Sequence, residues 1–182
     1  MAWSDKVIEP SNRSVIIGLD PGAGGALACL DSKDWTLEVF DTPHLWTIVN
    51  GKRRRIVDVK KLSDLVVARR PLMISTEKVH AMPQMDVKGI FTFGRFYGQV
   101  EMLACMAHTE FFETDPAVWK AAMSVNSDKD ISRQRAGQLI PAAAAAGLFK
   151  RKTDHDRAEA CMLALFGAFN KGLNPRNITM KG

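Results

Sequence analysis

Residues 14–25 read Ser14-Val15-Ile16-Ile17-Gly18-Leu19-Asp20-Pro21-Gly22-Ala23-Gly24-Gly25, and the fold turns on them. The β-branched, apolar run from Val15 has the composition of a buried strand. It closes on an acid, then on a proline and a run of glycine. A lone carboxylate at the end of such a strand costs several kcal/mol unless a cation or a set of donors receives it. Asp20 therefore points to a metal ion or a phosphate-handling loop at the end of the first strand. The plainer alternative is an aspartate serving a tight glycine-rich turn.

Outward from this stretch, the punctuation alternates strands and helices. Gly24-Gly25 open a second strand over residues 26–30, and residues 31–34 turn the chain. Leu37 and Val39 alternate with polar neighbours in a half-exposed third strand ending near Pro43. The basic stretch after it reads as a loop. Val59, Leu62, Leu65 and Val66 have helical spacing over residues 58–69, and Pro71 closes that helix. Residues 72–76 form a short apolar strand leading into Glu77. A methionine-rich loop, residues 80–88, precedes a helix over 91–106, and residues 110–114 make a further strand.

Asp115-Pro116 has the form of an N-cap with proline at the first helical position. Another helix starts at Asp130 and stops at Pro141, and the alanine tract 142–146 either extends it or connects. The last helix, residues 154–170, carries Ala158, Cys161, Met162, Leu165, Phe166 and Phe169 as one apolar stripe, so it packs on a sheet. The reading is one domain over residues 1–182, with flexible tails at 1–13 and 171–182.

Composition bounds what such a domain does. The chain has 182 residues, 46% of them hydrophobic, and no run approaches the ~18 apolar residues of a membrane span. A polar N-terminus without a signal-peptide core leads to the expectation of a cytoplasmic protein, in the host's cytoplasm if the gene belongs to a phage. Cys29, Cys105 and Cys161 are too far apart for paired zinc spacing and odd in number, so they read as buried thiols. The net charge is +5. Its excess is clustered: Lys52-Arg53-Arg54-Arg55 with Lys60-Lys61, then Lys150-Arg151-Lys152. Such clusters attract polyanions through phosphate contacts and counterion release, which makes nucleic acid the leading partner.

The chemistry lies in acids at element ends. If the strands ending in Asp20 and Glu77 are neighbours, both carboxylates emerge at one edge of the sheet. On the last helix Asp156 and Glu159 are about 60° apart around the axis, with His155 and Lys152 on the same side. Packing that helix on the sheet would gather four acids. Like charges so close raise each other's pKa unless divalent cations neutralise them, and carboxylates without cysteine pairs suit Mg²⁺ or Mn²⁺. Taken singly, Asp154 and Asp156 also fit helix caps, Glu77 fits an ion pair with Lys78 or Arg95, and His155 fits a surface hydrogen bond.

The order of three strands, helix, strand, helix, strand, helix is that of the RNase H-like fold. Ile17-Gly18-Leu19-Asp20-Pro21-Gly22, Glu77-Lys78-Val79-His80-Ala81-Met82-Pro83 and Phe93-Gly94-Arg95-Phe96-Tyr97-Gly98 resemble RuvC-like Holliday junction resolvases, and their bacteriophage branch most. Lys152-Thr153-Asp154-His155-Asp156-Arg157-Ala158-Glu159-Ala160 is similar to that branch's last motif. The resemblance runs from about residue 15 to residue 170.

It implies an α/β domain with a mixed five-stranded sheet, three antiparallel strands then two parallel, flanked by helices. It also implies a homodimeric, Mg²⁺-dependent endonuclease that cuts four-way junctions, and forks or flaps as further branched DNA, without a nucleotide cofactor. Asp20, Glu77 and Glu159 would be metal ligands by motif position. Asp156 is the candidate for the fourth, and Asp154 its rival, lying about 140° from Glu159 if helical. Two cations about 3.5–4 Å apart would bridge the scissile phosphate, with Lys152 or Lys150 holding it and His155 shuttling a proton. Lys52, Arg53, Arg54 and Arg55, with Lys150 and Arg151, would grip backbone. His80, with Met82, Met85 and Phe91, would sense the branch point by stacking or wedging. Phe96, Tyr97 and Met102 would supply a symmetric interface.

Two other classes compete. Asp20-Pro21-Gly22 also resembles the first phosphate loop of actin-like sugar kinases and ATPases, whose fold needs a second glycine-rich motif. Residues 89–94 come near a P-loop, but Arg95-Phe96 stand where Lys and Ser/Thr are needed. A non-catalytic DNA-binding module of the same fold would be expected to have lost the acids, which here are filled.

Overall fold

The computed structural model describes residues 12–78 and 87–181. Its elements are β1 (Val15–Asp20), β2 (Ala26–Asp31), β3 (Thr36–Asp41), β4 (His44–Val49), β5 (Lys52–Val57), α1 (Val59–Arg69), β6 (Met73–Glu77) and α2 (Val87–Met106). They continue with β7 (Glu110–Thr114), α3 (Pro116–Met123), α4 (Lys129–Leu139), α5 (Pro141–Ala145), a 3₁₀ turn (Lys152–Asp154), α6 (His155–Asn170) and β8 (Thr179–Met180). Six strands make one sheet in the order β7-β6-β1-β2-β3-β8, while β4 and β5 pair separately. β1, β2 and β3 are antiparallel. β6 runs parallel to β1, and β7 to β6. The fold is α/β; the expected three-plus-two strands are contiguous from the β7 edge, and β8 adds a sixth beyond β3.

Strand alternation sorts β1 between two layers. Ile17 and Leu19 enter a core with Leu62 and Val66 of α1 and Phe96 and Val100 of α2. Ile16 enters the opposite core, with α6, Trp119 of α3 and Ala136 of α4. Gly18 and Asp20 share the Ile16 face. In β6 the same rule puts Met73, Ser75 and Glu77 toward α6, since Met73 and Ile74 fall in opposite cores. The parallel register pairs Gly18 with Ser75 and Leu19 with Thr76. Asp20 and Glu77 therefore come next, side by side, on the α6 face.

α6 lies very close to that face. A Cβ on Gly18 would strike the Ala160 carbonyl and the Ala164 backbone, and one on Gly167 would press on Ser75 and Ile16. Ala158, Ala160, Ala164 and Ala168 are fully buried and leave the room for this approach. Of the expected stripe, Ala158, Cys161, Met162 and Leu165 are buried, but Phe169 is exposed. Ala160, Leu163 and Ala164 are buried too, because α3 and α4 cover the face of α6 turned from the sheet. A one-sided amphipathic reading was too narrow for a helix wrapped on both sides.

The structure departs from the sequence reading in several places. The basic stretch is not a loop: Lys52–Val57 is a strand paired antiparallel with His44–Val49. Asn50-Gly51 joins them, both residues at positive φ (51° and 72°), the geometry a two-residue hairpin turn requires. The C-terminal segment is no loose tail, since β8 adds a sixth strand parallel to β3. At the other end, Arg13 donates to the carbonyls of Pro71, Ala107 and His108; residues 1–11 lie outside the described residues. Pro141 begins α5 rather than ending regular structure, as proline at a first helical position can. α4 is capped by Asp128, not Asp130, which pairs with Arg133 at 2.6 Å. Cys105 is exposed, whereas Cys29 and Cys161 are buried thiols, Cys29 pushed up to about 12 by burial. Residues 89–94 lie inside α2 and form no phosphate loop. Phe96 sits in the core, only 4% exposed, and is not available to a partner, while Tyr97 donates to Glu113.

Candidate active site

Three elements converge at the carboxyl end of β1. The turn after Asp20 is closed by its own backbone, Gly25 N donating to Gly22 O at 3.1 Å. Gly25 has no room for a side chain against the Asp20 carbonyl. The Asp20 carboxylate is turned instead toward α6, where it shares a hydrogen bond with Asp156. Burial raises the Asp20 pKa well above the usual carboxylate value, and the charges of Glu159, Asp156 and Glu77 raise it further. The four acids named from the sequence thus act on one another across three elements. Two carboxylates share a hydrogen bond only when one keeps a proton; a divalent cation between them would take that proton's place.

Each acid has its own support. Trp119, fully buried in α3, donates its indole N–H to Glu77 Oε2 at 3.2 Å. Ser132 of α4, also fully buried, donates to Glu159 Oε1 at 3.4 Å. Burial lifts the Glu159 pKa; Lys120 pulls it back, Glu77 pushes it up, and His155 and Lys129 lower it. His155 is held by Lys152, whose carbonyl accepts from Nδ1 at 2.8 Å. Its Nε2 then faces Lys129 Nζ at 2.6 Å and Asp156 Oδ1 at 2.8 Å. The imidazole so links a cation to a site carboxylate.

Asp154 is placed differently from its neighbours. It is 1% exposed and accepts from Arg151 N (2.7 Å) and Arg151 Nε (2.9 Å), closing the turn that starts α6. Burial alone would raise its pKa, but the Arg151 hydrogen bonds and the charges of Arg151 and Arg157 hold it below the usual value. Arg157 reaches away from the acids to grip Asp41 at the end of β3 with two bonds, 2.5 and 2.6 Å. The helix start is thus tied to the sheet by residues that alternate with the site acids.

Cations other than the expected ones act on Glu159. Lys152 acts on Asp130 and Arg151 on Asp154, whereas Lys120 and Lys129 act on Glu159. Lys150 is exposed and packs its stem near Gly147. Sequence reading missed Trp119, Lys120, Lys129 and Ser132. The available signal was Asp115-Pro116: a capped helix starting directly after a strand beside β6 must bring its first turns to the same edge. His80, Met82 and Met85 lie outside the described residues, and Phe91 is 71% exposed.

As metal ligands, the acids fit by chemistry. Asp20, Glu77, Asp156 and Glu159 offer oxygen only, as a hard divalent cation prefers. Among the described residues no three such side chains already stand in ligand arrangement.

No protein-family model and no curated protein matches this chain. Among solved structures it is similar to Thermus thermophilus RuvC in complex with a Holliday junction substrate, at 17% identity and a TM-score of 0.52, over 88% of this chain and 96% of that one. A second Thermus thermophilus RuvC structure matches at 16% identity and 0.49, over 89% and 99%. The fowlpox virus Holliday junction resolvase matches at 15% and 0.48, over 86% and 99%. The chain has an RNase H-like fold. Within that class the fold is RuvC-like, as the first of these neighbours shows.

Proposed function

We propose that this protein is a divalent-metal-dependent endonuclease that cuts branched DNA, four-way junctions above all. The observation that carries the reading is the gathering of Asp20 and Glu77, side by side at the ends of β1 and β6, with Asp156 and Glu159 of the helix packed tightly over them. The RuvC-like fold and the net charge of +5 support it.

Asp20, Glu77, Asp156 and Glu159 would hold Mg²⁺, or Mn²⁺ in its place. Bound there, the cations would supply an activated water and charge stabilisation on the phosphate. The rest belongs to the chain's own residues. Trp119 and Ser132 keep Glu77 and Glu159 in fixed rotamers through their remaining oxygens, as outer partners of metal ligands do. Lys120 and Lys129 put positive charge where a phosphodiester would gain negative charge during hydrolysis. His155, between Lys129 and Asp156, would hold or release a proton at Nε2. The exposed arginines of β5 would take DNA backbone away from the chemistry. Resolving a junction takes two opposed cuts, so the chain would act as a homodimer, each copy bringing one site.

The test is cleavage of end-labelled four-way junction and linear duplex, with Mg²⁺ or with EDTA. Wild type should nick the junction in Mg²⁺ and neither substrate in EDTA. Asp20→Asn should lower the rate by about a thousandfold, on the scale of losing preorganised charge stabilisation. Junction nicking that persists in Asp20→Asn would overturn the site. ATP turnover by the same preparation would move the assignment to the kinase-like class.

A further inference from the structure

Between the β4–β5 hairpin and α2 lies a cleft of ≈ 560 Å³, opening beside Gly22 and Ala23, which follow Asp20. That volume is within the ~300–1,000 Å³ of pockets that enclose small ligands. The hairpin contributes Arg54, Arg55 and Ile56; α2 contributes Lys88, Phe93 and Arg95. Lys88 and Arg95 are seven apart, two turns along one helix face. Among the described residues, four cations and no acid line it.

The cleft thus combines charge for phosphates with an apolar, aromatic floor. Duplex DNA would satisfy only half of it, because paired bases stay stacked inside the helix and only phosphates reach the cations. An unpaired strand brings both parts, its phosphates to the arginines and an unstacked base to Phe93. We propose that this cleft binds an unpaired stretch of DNA strand running from the acid cluster toward the hairpin. This rests on the nuclease reading above and specifies the form of strand the enzyme handles next to its cut. A branch point supplies such a strand where pairing is interrupted, whereas continuous duplex supplies it only at the cost of opening base pairs.

The experiment measures fluorescence anisotropy of labelled oligo(dT) and of a duplex of equal length, with the full chain in EDTA. Phe93→Ala should weaken oligo(dT) binding about tenfold, the loss of one base–aromatic stack, and change duplex binding less than about twofold. Lys88→Ala should lower the salt slope on oligo(dT) by about 0.7, one phosphate contact on a single strand. Equal weakening of both DNAs, or unchanged oligo(dT) binding, overturns the proposal. Should Phe93→Ala melt early, Phe93→Leu takes its place: it keeps the apolar volume and removes the flat ring. Loss of oligo(dT) affinity with a wild-type melting curve then supports the cleft, and retained affinity overturns it. Wild type that cleaves no DNA in Mg²⁺ overturns the nuclease reading instead. Wild type that cleaves while the Phe93 variants bind oligo(dT) normally overturns only the cleft.

Discussion

Asp20 and Glu77 stand on neighbouring strands beneath α6, while Arg53, Arg54 and Arg55 stand exposed on a two-stranded ribbon outside the main sheet. The acids meet because parallel register, strand alternation and a glycine-lined helix contact leave them nowhere else to point. The arginines meet nothing that fixes them so firmly; Arg53 lies over the Trp46 ring at 4.5 Å, and Trp46 is itself 54% exposed. Buried charge is therefore positioned by the whole fold, and the exposed charge of Arg53 by its own hairpin. Substitutions in the first region should act through structure and chemistry together, and those in the second through binding alone.

The sharpest break in that comparison comes inside the acidic region. Asp154 and Asp156 are two residues apart, yet one is a buried partner of Arg151 and the other faces Asp20. Asp154→Asn should cost about 1.5–3 kcal/mol, the loss of charge-assisted hydrogen bonds from an Arg151 side chain that is itself 65% exposed, and lower the melting temperature accordingly. The activity of the fraction that stays folded should be near wild type. Asp156→Asn should do the reverse, lowering cleavage about a hundredfold while the melting temperature holds. Thermal unfolding and junction nicking, measured together, read both. Matching losses of activity without loss of stability would make Asp154 a ligand.

Glycine gives a second contrast between the two regions. Gly18→Ala would force α6 off β1 against backbone atoms and should cost about 1–3 kcal/mol or more. Gly51→Ala, at the hairpin turn, meets open space and only the strain of φ +72°, about 1 kcal/mol. For a chain of this size each 1 kcal/mol moves the melting midpoint by about 2–4 °C. Gly18→Ala should also reduce nicking, since Asp20 is two residues on; Gly51→Ala should not. Equal effects at the two glycines would mean that the hairpin, too, is held by the fold.

The same difference explains what was legible in the sequence. Asp20 and Glu77 could be named because a buried strand tolerates no casual acid, and Asp156 and Glu159 because helix spacing is regular. The order of elements along the chain followed from apolar runs bounded by glycine and proline, whereas the three-plus-two sheet was an implication of the resemblance. The hairpin was missed because β5, Lys52–Val57, is exposed through Ile56, so no alternation marks it. Only Asn50-Gly51 betrayed it. β8 was missed because a two-residue strand has no pattern to read, although Ile178 before it is nearly buried. Trp119, Lys120, Lys129 and Ser132 came to the site by tertiary packing of α3 and α4, which local spacing does not encode. The rivalry between Asp154 and Asp156 turned on where each side chain goes, and local spacing did not show that Arg151, three residues earlier, holds the Asp154 carboxylate.

A smaller effect tests the exposed side. Arg53→Ala removes one cation and its stack on Trp46. DNA affinity should fall about two- to fivefold, and the salt slope on duplex should drop by about 0.9, one phosphate contact. The melting temperature should stay within about 1 °C, as for surface substitutions generally. Anisotropy titrations at several salt concentrations would show it. A steep loss of stability would place Arg53 in the structural framework and blur the contrast.

The smallest effect is a pH dependence, and it has opposite sign for neighbouring acids. Asp20 and Glu159 have pKa values raised in the folded chain, chiefly by burial, then by the surrounding carboxylates for Asp20. Unfolded, they titrate near the usual ~3.9 and ~4.3. Below that range both states keep the proton, and the groups cost the fold nothing. As pH rises, the unfolded chain releases its protons first, so these groups' contribution is lost through the raised folded values. Asp154, whose pKa is lowered, contributes above the usual range and loses that contribution only as pH falls through its folded value. Asp20→Asn isolates the first effect. Without metal it should melt above wild type at pH 8, and the gap should close toward pH 4. Millimolar Mg²⁺ should narrow the gap at pH 8 from the wild-type side, since a cation that binds only the folded acids stabilises by mass action. A gap that ignores both pH and Mg²⁺ would mean that Asp20 carries no strained charge, and the acidic end would then differ from the hairpin in burial alone.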